Sequence, residues 1–388
     1  MGTNTQPRAE IANLQFLRFL AAMMVVLFHG ASDIAPQLHA DSRLVTAFQY
    51  IGFSGVDLFF VISGFIIYLS NTRTTHASGA SRFLALRLAR IYLGYWPFFL
   101  IGWGVLSFFA TDHPDTIDMG KINLVNSFFL LPDKSYAALL DVTWSLSHEL
   151  YFYLIFFFLL FAKRRLEILL CIAAGIIAFN LFAAYALDAY TWKGFKNLGD
   201  TERFLTSPWI LEFSAGAVVA HCILRGYSRF TVAATLIGIA CFFLGYYLNI
   251  TLLDGKIAKF FNYHFRMTIF GLGSALLIYG LVNLERKGMV IGPRFSLLFG
   301  GASYCMYLLH RILFDIITYS GTLKYIADIP LPPTFKYIAI IAFVQFMAVF
   351  FYMTIEKPVY RKAKKMIHFY FNRAASKHSP APRQDIDS

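Results

Sequence analysis

Apolar and polar stretches alternate ten times along this chain, each apolar stretch being about 17 residues or longer. They run at about 14–30, 55–71, 91–110, 144–162, 166–187, 208–224, 230–250, 267–284, 296–319 and 335–355. A helix rises 1.5 Å per residue, so about 20 such residues cross a 30 Å hydrocarbon layer. The pattern predicts an all-α integral membrane protein, a bundle of about ten transmembrane helices filling residues 14–358. A short cytoplasmic segment, 1–13, precedes it. A cytoplasmic tail, 359–388, follows, basic at first and then disordered from about Ser376. The longest outer loop, about 111–142, holds an apolar stretch, Leu124–Leu131, expected to dip back toward the membrane.

Composition agrees with this reading. Of 388 residues 58% are hydrophobic and only 14% charged, where soluble domains carry about 25%. A cleaved signal peptide does not fit the first span, because Arg18 interrupts its apolar core and no small-residue cleavage site follows. Cys171, Cys222, Cys241 and Cys305 have no paired spacing and read as packing residues, so neither a disulfide nor a metal site is predicted. The net charge of +12 would suit nucleic acid, but its placement points elsewhere. With the N-terminus in the cytoplasm, the segments on that side hold 21 Lys and Arg and the opposite loops 10. Cations near span ends favour the cytoplasm, which places both termini there and leaves the basic charge to topology and anionic lipid heads.

Ionisable groups inside the spans then sort by depth. Arg18 and His29 in the first span are eleven steps apart, about three turns plus 20°, and share one helix face about 16 Å apart. Arg18 lies toward the inner side with Arg87 and Arg90, and His29 at the outer end. Asp57, Trp144, Ser145, Glu149 and Glu212 open inward-running spans at that outer level, and Ser303, Tyr307 and His310 line one stripe of the ninth span. Each has a structural alternative. Arg18 can snorkel, Arg87 and Arg90 can be topology flanks, Asp57 can cap its helix, and Glu212 and Glu356 can be interfacial. Their joint depth favours function, since unrelated structural residues have no need to collect at one level.

In this order the motifs resemble the membrane acyltransferase-3 family. They are Arg18-(ten residues)-His29, Gly55–Phe65 (GVDLFFVISGF), Arg87-Leu-Ala-Arg90, Trp144–Glu149 (WSLSHE), Ser303–His310 (SYCMYLLH) and Ile355–Pro358 (IEKP). The resemblance covers about Leu14 to Pro358. It implies a multi-pass O-acyltransferase of the bacterial inner membrane, with acetyl-CoA drawn from the cytoplasm. The implied acceptor is a hydroxyl of a polysaccharide or lipid-linked oligosaccharide on the far side.

The residues fit these roles. Guanidinium groups suit the phosphates of coenzyme A, so Arg18, Arg87 and Arg90 are candidate donor ligands. His29 is the candidate base for the acceptor hydroxyl, with Asp57 or Glu149 orienting its imidazole. Ser145, Tyr307 and His310 are candidate oxyanion donors, and Trp144, Glu212 and Ser303, with Tyr307, candidate acceptor contacts. Direct transfer and an acyl-histidine intermediate use the same residues. Many relatives carry an added esterase-like domain, which this sequence lacks up to Ser388, so the membrane part is expected to act alone or with a separate partner. A transporter or flippase of a lipid-linked sugar, an assembly scaffold, and O-acylation of a small molecule are the alternatives.

Overall fold

A computed structural model describes residues 10–72, 74, 77–133, 137–185, 190–191, 194–195, 199–253, 255 and 263–377. The first helix, α1 (Ala12–His29), begins where a distant carboxylate satisfies its free N–H groups: Glu285 accepts from the backbone of Ala12 at 2.9 Å and of Asn13 at 2.6 Å. The Asn13 side chain adds bonds to Leu281 O, Met289 O and Ile291 N–H. A polar knot thus seats the start of the bundle without a local cap. Helices α2 (Arg43–Ile51), α3 (Gly55–Ser70) and α4 (Ala77–Phe109) follow, then the short α5 (Leu124–Phe129), α6 (Trp144–Leu159), α7 (Arg165–Tyr185) and the short α8 (Asp200–Leu205). The chain continues through α9 (Ile210–Leu224), α10 (Thr231–Thr251), the single turn α11 (Tyr263–Arg266) and α12 (Leu272–Arg286). It ends with α13 (Pro293–Gly301), α14 (Ser303–Tyr319), α15 (Thr322–Asp328), α16 (Pro333–Phe351) and α17 (Lys357–Lys377).

Among the described residues nine helical segments are long and apolar enough to cross a membrane, and the bent pair α13–α14 makes a tenth. Among the described residues the architecture is all-α apart from a two-residue ladder of Tyr190–Thr191 with Gly194–Phe195. The continuous ninth span expected at 296–319 is instead broken by 51° at Ala302. A Cβ at Gly300 would lie 2.2 Å from Gln15 O, so α13 lies hard against α1 and the chain turns after the glycines. The 33-residue α4, about 50 Å long, outruns the hydrocarbon layer, so Arg82, Arg87 and Arg90 stand on its first turns and not in a loop. The basic segment after 358 is also helical, continuing through α17 to Lys377, while residues 378–388 lie outside the described residues. So do Arg8, Arg73, Lys134, Lys193, Lys196, Lys256 and Lys259 of the charge count.

Lipid tails are as apolar as Leu, so helices in a membrane associate through close packing and polar bonds. Here α3 and α9 pack backbone to backbone: a Cβ at Gly64 would sit 1.9 Å from Phe213 O. Helices α3, α9 and α12 lie largely inside, while α7, α10 and α16 keep most of their apolar surface outward, toward lipid. The segment between α4 and α6 folds back on α4. Tyr92, Tyr95 and Trp96 donate to the carbonyls of Phe129, Ser127 and Phe128 at the end of α5, and Trp96 stacks on Phe128.

Candidate functional site

One end of the bundle carries an imidazole pair. His29 closes α1 and is followed by a π turn over Gly30–Ile34, a geometry common beside functional residues. His29 Nδ1 lies 3.0 Å from Val25 O and 3.2 Å from His310 Nε2, and His310 Nδ1 lies 3.1 Å from Met306 O. The network assigns the tautomers of the neutral pair. His310 Nδ1–H donates to Met306 O, which leaves Nε2 as an acceptor. His29 Nδ1–H is then shared between Val25 O and His310, so the lone pair of His29 stands on Nε2. His310 is completely buried. It therefore orients His29, and both of its ring nitrogens are engaged, so the expected oxyanion-donor role falls away in this arrangement.

The two carboxylates expected to orient His29 do not reach it. Asp57, 0% exposed, is held bidentately by Arg266, with Nε–Oδ1 2.9 Å and Nη2–Oδ2 2.7 Å. The Arg266 guanidinium is sandwiched between Phe53 and Trp209 at 4.7 and 4.6 Å, directly before a second π turn, Met267–Gly271. Glu212 is buried beside Asp57, so it is neither interfacial nor free to meet an acceptor. Glu149 accepts from Ser63 Oγ at 3.1 Å and from Tyr153 OH. Four residues below Ser145 is about 6 Å along a helix, enough to take Glu149 out of the histidine layer.

Glu149 instead lines a cavity of about 120 Å³ with Arg18, Arg87 and Arg90. The same cavity reaches Ser303, Ser145 and Tyr307. Arg90 is compensated: it pairs with Glu356 in a third π turn, and its guanidinium lies over Tyr304 and Tyr360. Glu356 is buried, which corrects its interfacial reading, and it also accepts from Cys305 Sγ at 2.9 Å, a polar role for a cysteine expected only to pack. Arg18 and Arg87 have no ion-pair partner among the described residues. Arg18 donates to Gln15 Oε1 at 3.2 Å; Arg87 reaches Ser70 Oγ at 3.4 Å and lies over Tyr153 and Phe83. Both face the cavity without a carboxylate in ion-pair distance, while Glu149 lines the same space and, with Glu356, acts on Arg18 from further off.

At the far end of the cavity Ser145 Oγ and Tyr307 OH are 2.8 Å apart, and Tyr307 OH donates to Val142 O at 2.9 Å. The Tyr307 ring meets Phe59 on one side and His310 on the other, with centroids 5.8 and 6.2 Å away. Tyr307 thus stands between the cavity and the histidine pair. Ser303 donates to Gly300 O and sits on the cavity wall, while Trp144 packs in an aromatic cluster with Phe60, His148 and Trp209. A second, open cavity of about 310 Å³ adjoins the histidine end, lined by Asp115, Asp141, Arg311, Asp315 and Tyr319. On its rim a hydrogen bond from Lys121 holds the Asp118 carboxyl below its usual range. Arg266, Arg311, Asp33, Asp141, Tyr153 and Ser63 are site residues that sequence reasoning missed. For Arg311 the signal was present, an ionisable residue inside an apolar span. Among the described residues no group of three or more His, Cys, Asp or Glu is arranged to hold a metal.

A family model described as "Acyltransferase domain" matches residues 11–355. The exopolysaccharide production protein ExoZ of Rhizobium meliloti (strain 1021) is 28% identical over 327 residues, 81% of this chain and 91% of that protein. The acyltransferase MdmB of Streptomyces mycarofaciens is 28% identical over 337 residues, 81% of each chain. No solved structure gives a significant match.

Proposed function

The chain belongs to the Acyltransferase domain family, and from that premise we propose that it moves an acyl group from acyl-CoA to a hydroxyl of a polysaccharide or lipid-linked oligosaccharide. The group transferred in this reading is acetyl, the donor comes from the cytoplasm and the acceptor waits on the opposite face of the bacterial inner membrane. The names of ExoZ and MdmB support an acyl transfer tied to exopolysaccharide. The observation that carries the reading is the cavity joining two guanidinium groups outside any ion pair, Arg18 and Arg87, to Ser145 and Tyr307 beside the His29–His310 pair. The basic helix α17 lies at the arginine end, where His368 meets Arg82, which supports a cytoplasmic placement of that end.

In this scheme Arg18 and Arg87 bind the donor phosphates, and the thioester arm lies along the cavity toward Tyr307. His29 Nε2 takes the proton of the acceptor hydroxyl as its oxygen attacks the thioester carbonyl, a step worth about 10²–10⁴-fold. His310 holds the imidazole in the required tautomer and shares the charge that develops on it. Ser145 and Tyr307, released from each other, supply O–H donors to the carbonyl oxygen as it gains charge. The carbon–sulfur bond then breaks, and the proton on His29 passes to the departing thiolate.

The test is direct. Purified protein in nanodiscs, given acyl-CoA and the polysaccharide acceptor, releases free thiol in step with ester formed, and His29→Ala abolishes both. Sugar translocation without thioester consumption, or full ester formation by His29→Ala, overturns the reading.

A further inference from the structure

Arg311 takes no part in the steps above. It directly follows His310 on α14, and its guanidinium pairs with Asp33 and, through Nε, with Asp141 Oδ1 at 3.1 Å. Asp33 lies in the π turn, four residues beyond His29. Asp141 opens the 3₁₀ turn that leads into α6, four residues before Ser145. One cation therefore ties together the three chain segments that carry His29, His310 and Ser145.

We propose that Arg311, clamped between Asp33 and Asp141, is the positioning residue that sets His29 against His310. The proposal rests on the acyl-transfer reading for its consequence in turnover. Arginine suits the task because its broad guanidinium donates to Asp33 through Nη1 while its Nε edge lies within ion-pair distance of Asp141, where a lysine offers a single point charge. The clamp is needed because the imidazole pair depends on one neutral contact of 3.2 Å between different helices, next to a π turn. A displacement of about 1 Å at a reacting group can cost about 10²-fold in rate. Asp315, one turn further along α14, adds its charge to the field at the same guanidinium.

The experiment compares Arg311→Gln, Arg311→Lys and a triple variant, Arg311→Gln with Asp33→Asn and Asp141→Asn, in nanodiscs. The triple variant removes the clamp together with both carboxylates paired to it, leaving Asp315 as the one carboxylate of the group unchanged. Three readouts are taken: affinity for a non-hydrolysable acyl-CoA analogue, kcat, and the rate at which diethyl pyrocarbonate modifies His29, followed by mass spectrometry. The clamp predicts donor affinity within about twofold of wild type throughout, and kcat lower by about 10²-fold in Arg311→Gln and the triple variant, with Arg311→Lys between. The His29 modification rate shifts in the same variants. Wild-type kcat in the triple variant means charge balance alone mattered and overturns the proposal. So does an unchanged His29 modification rate in Arg311→Gln, or a loss of donor affinity parallel to kcat. If the wild type consumes no acyl-CoA, the acyl-transfer reading fails, and the modification rates still decide the clamp.

Discussion

Replacing Arg18 and Arg87 together by glutamine should weaken donor binding strongly and leave the bundle folded. Neither guanidinium is in an ion pair, Glu149 keeps its bonds from Ser63 and Tyr153 and Glu356 its pair with Arg90, and glutamine keeps part of each apolar stem in place. A hydrogen bond to a charged group contributes about 1.5–3 kcal/mol, which at about 1.4 kcal/mol per decade is roughly 10- to 150-fold for each arginine. Both line one cavity and share a polyanionic ligand, so their effects couple, and a combined loss of roughly 100-fold or more is expected. The assay is equilibrium binding of a non-hydrolysable acyl-CoA analogue at fixed ionic strength, run beside the matching acyl-pantetheine, which lacks the nucleotide phosphates. Wild type should prefer the CoA form; the double variant should bind both alike, and both proteins should bind acyl-pantetheine equally. Unchanged CoA affinity, or an equal loss for acyl-pantetheine, would refute the assignment of these arginines to phosphate.

Other substitutions read different parts of the structure. Arg90→Gln strands the buried Glu356 and should cost about 3–5 kcal/mol, seen as a lower unfolding temperature in detergent, with Glu356→Gln partly restoring it. Arg266→Leu, which leaves the fully buried Asp57 without its partner, should lose a similar 3–5 kcal/mol, and the double variant with Asp57→Leu should recover most of that loss. Gly64→Val should yield no monodisperse protein by size-exclusion chromatography, because its Cβ would collide with Phe213 O at 1.9 Å. His310→Ala should lower kcat by about 10²-fold or more while donor affinity stays unchanged, since it orients His29 but does not line the donor cavity.

Much of the frame was legible in the residues themselves. Ten apolar runs predict ten spans, and among the described residues there are nine long apolar helices with a bent pair as a tenth, because hydrophobic length depends only on local composition. His29 and His310, read as neighbours in depth, do meet, and Arg18, Arg87 and Arg90 do share one cavity. Partnership was not legible. Asp57 and Glu149 looked equally able to orient His29, yet one faces Arg266 and the other Ser63 and Tyr153. Arg266 looked like a loop cation, and it lies between two aromatic rings against a buried carboxylate.

By itself, then, the sequence determined which segments are apolar enough to span and which residues bring chemistry to each end, since both follow from side-chain type and helical rise. Only the tertiary structure decided that Arg90 is ion-paired while Arg18 and Arg87 have no ion pair among the described residues, and that His29 leans on a histidine and not on an acid. Depth along a span can be counted from its ends, but the direction a helix faces depends on how all its neighbours pack, as where Gly64 lets α3 and α9 touch. Electrostatic partnership is decided over a few ångströms, across helices far apart in the chain.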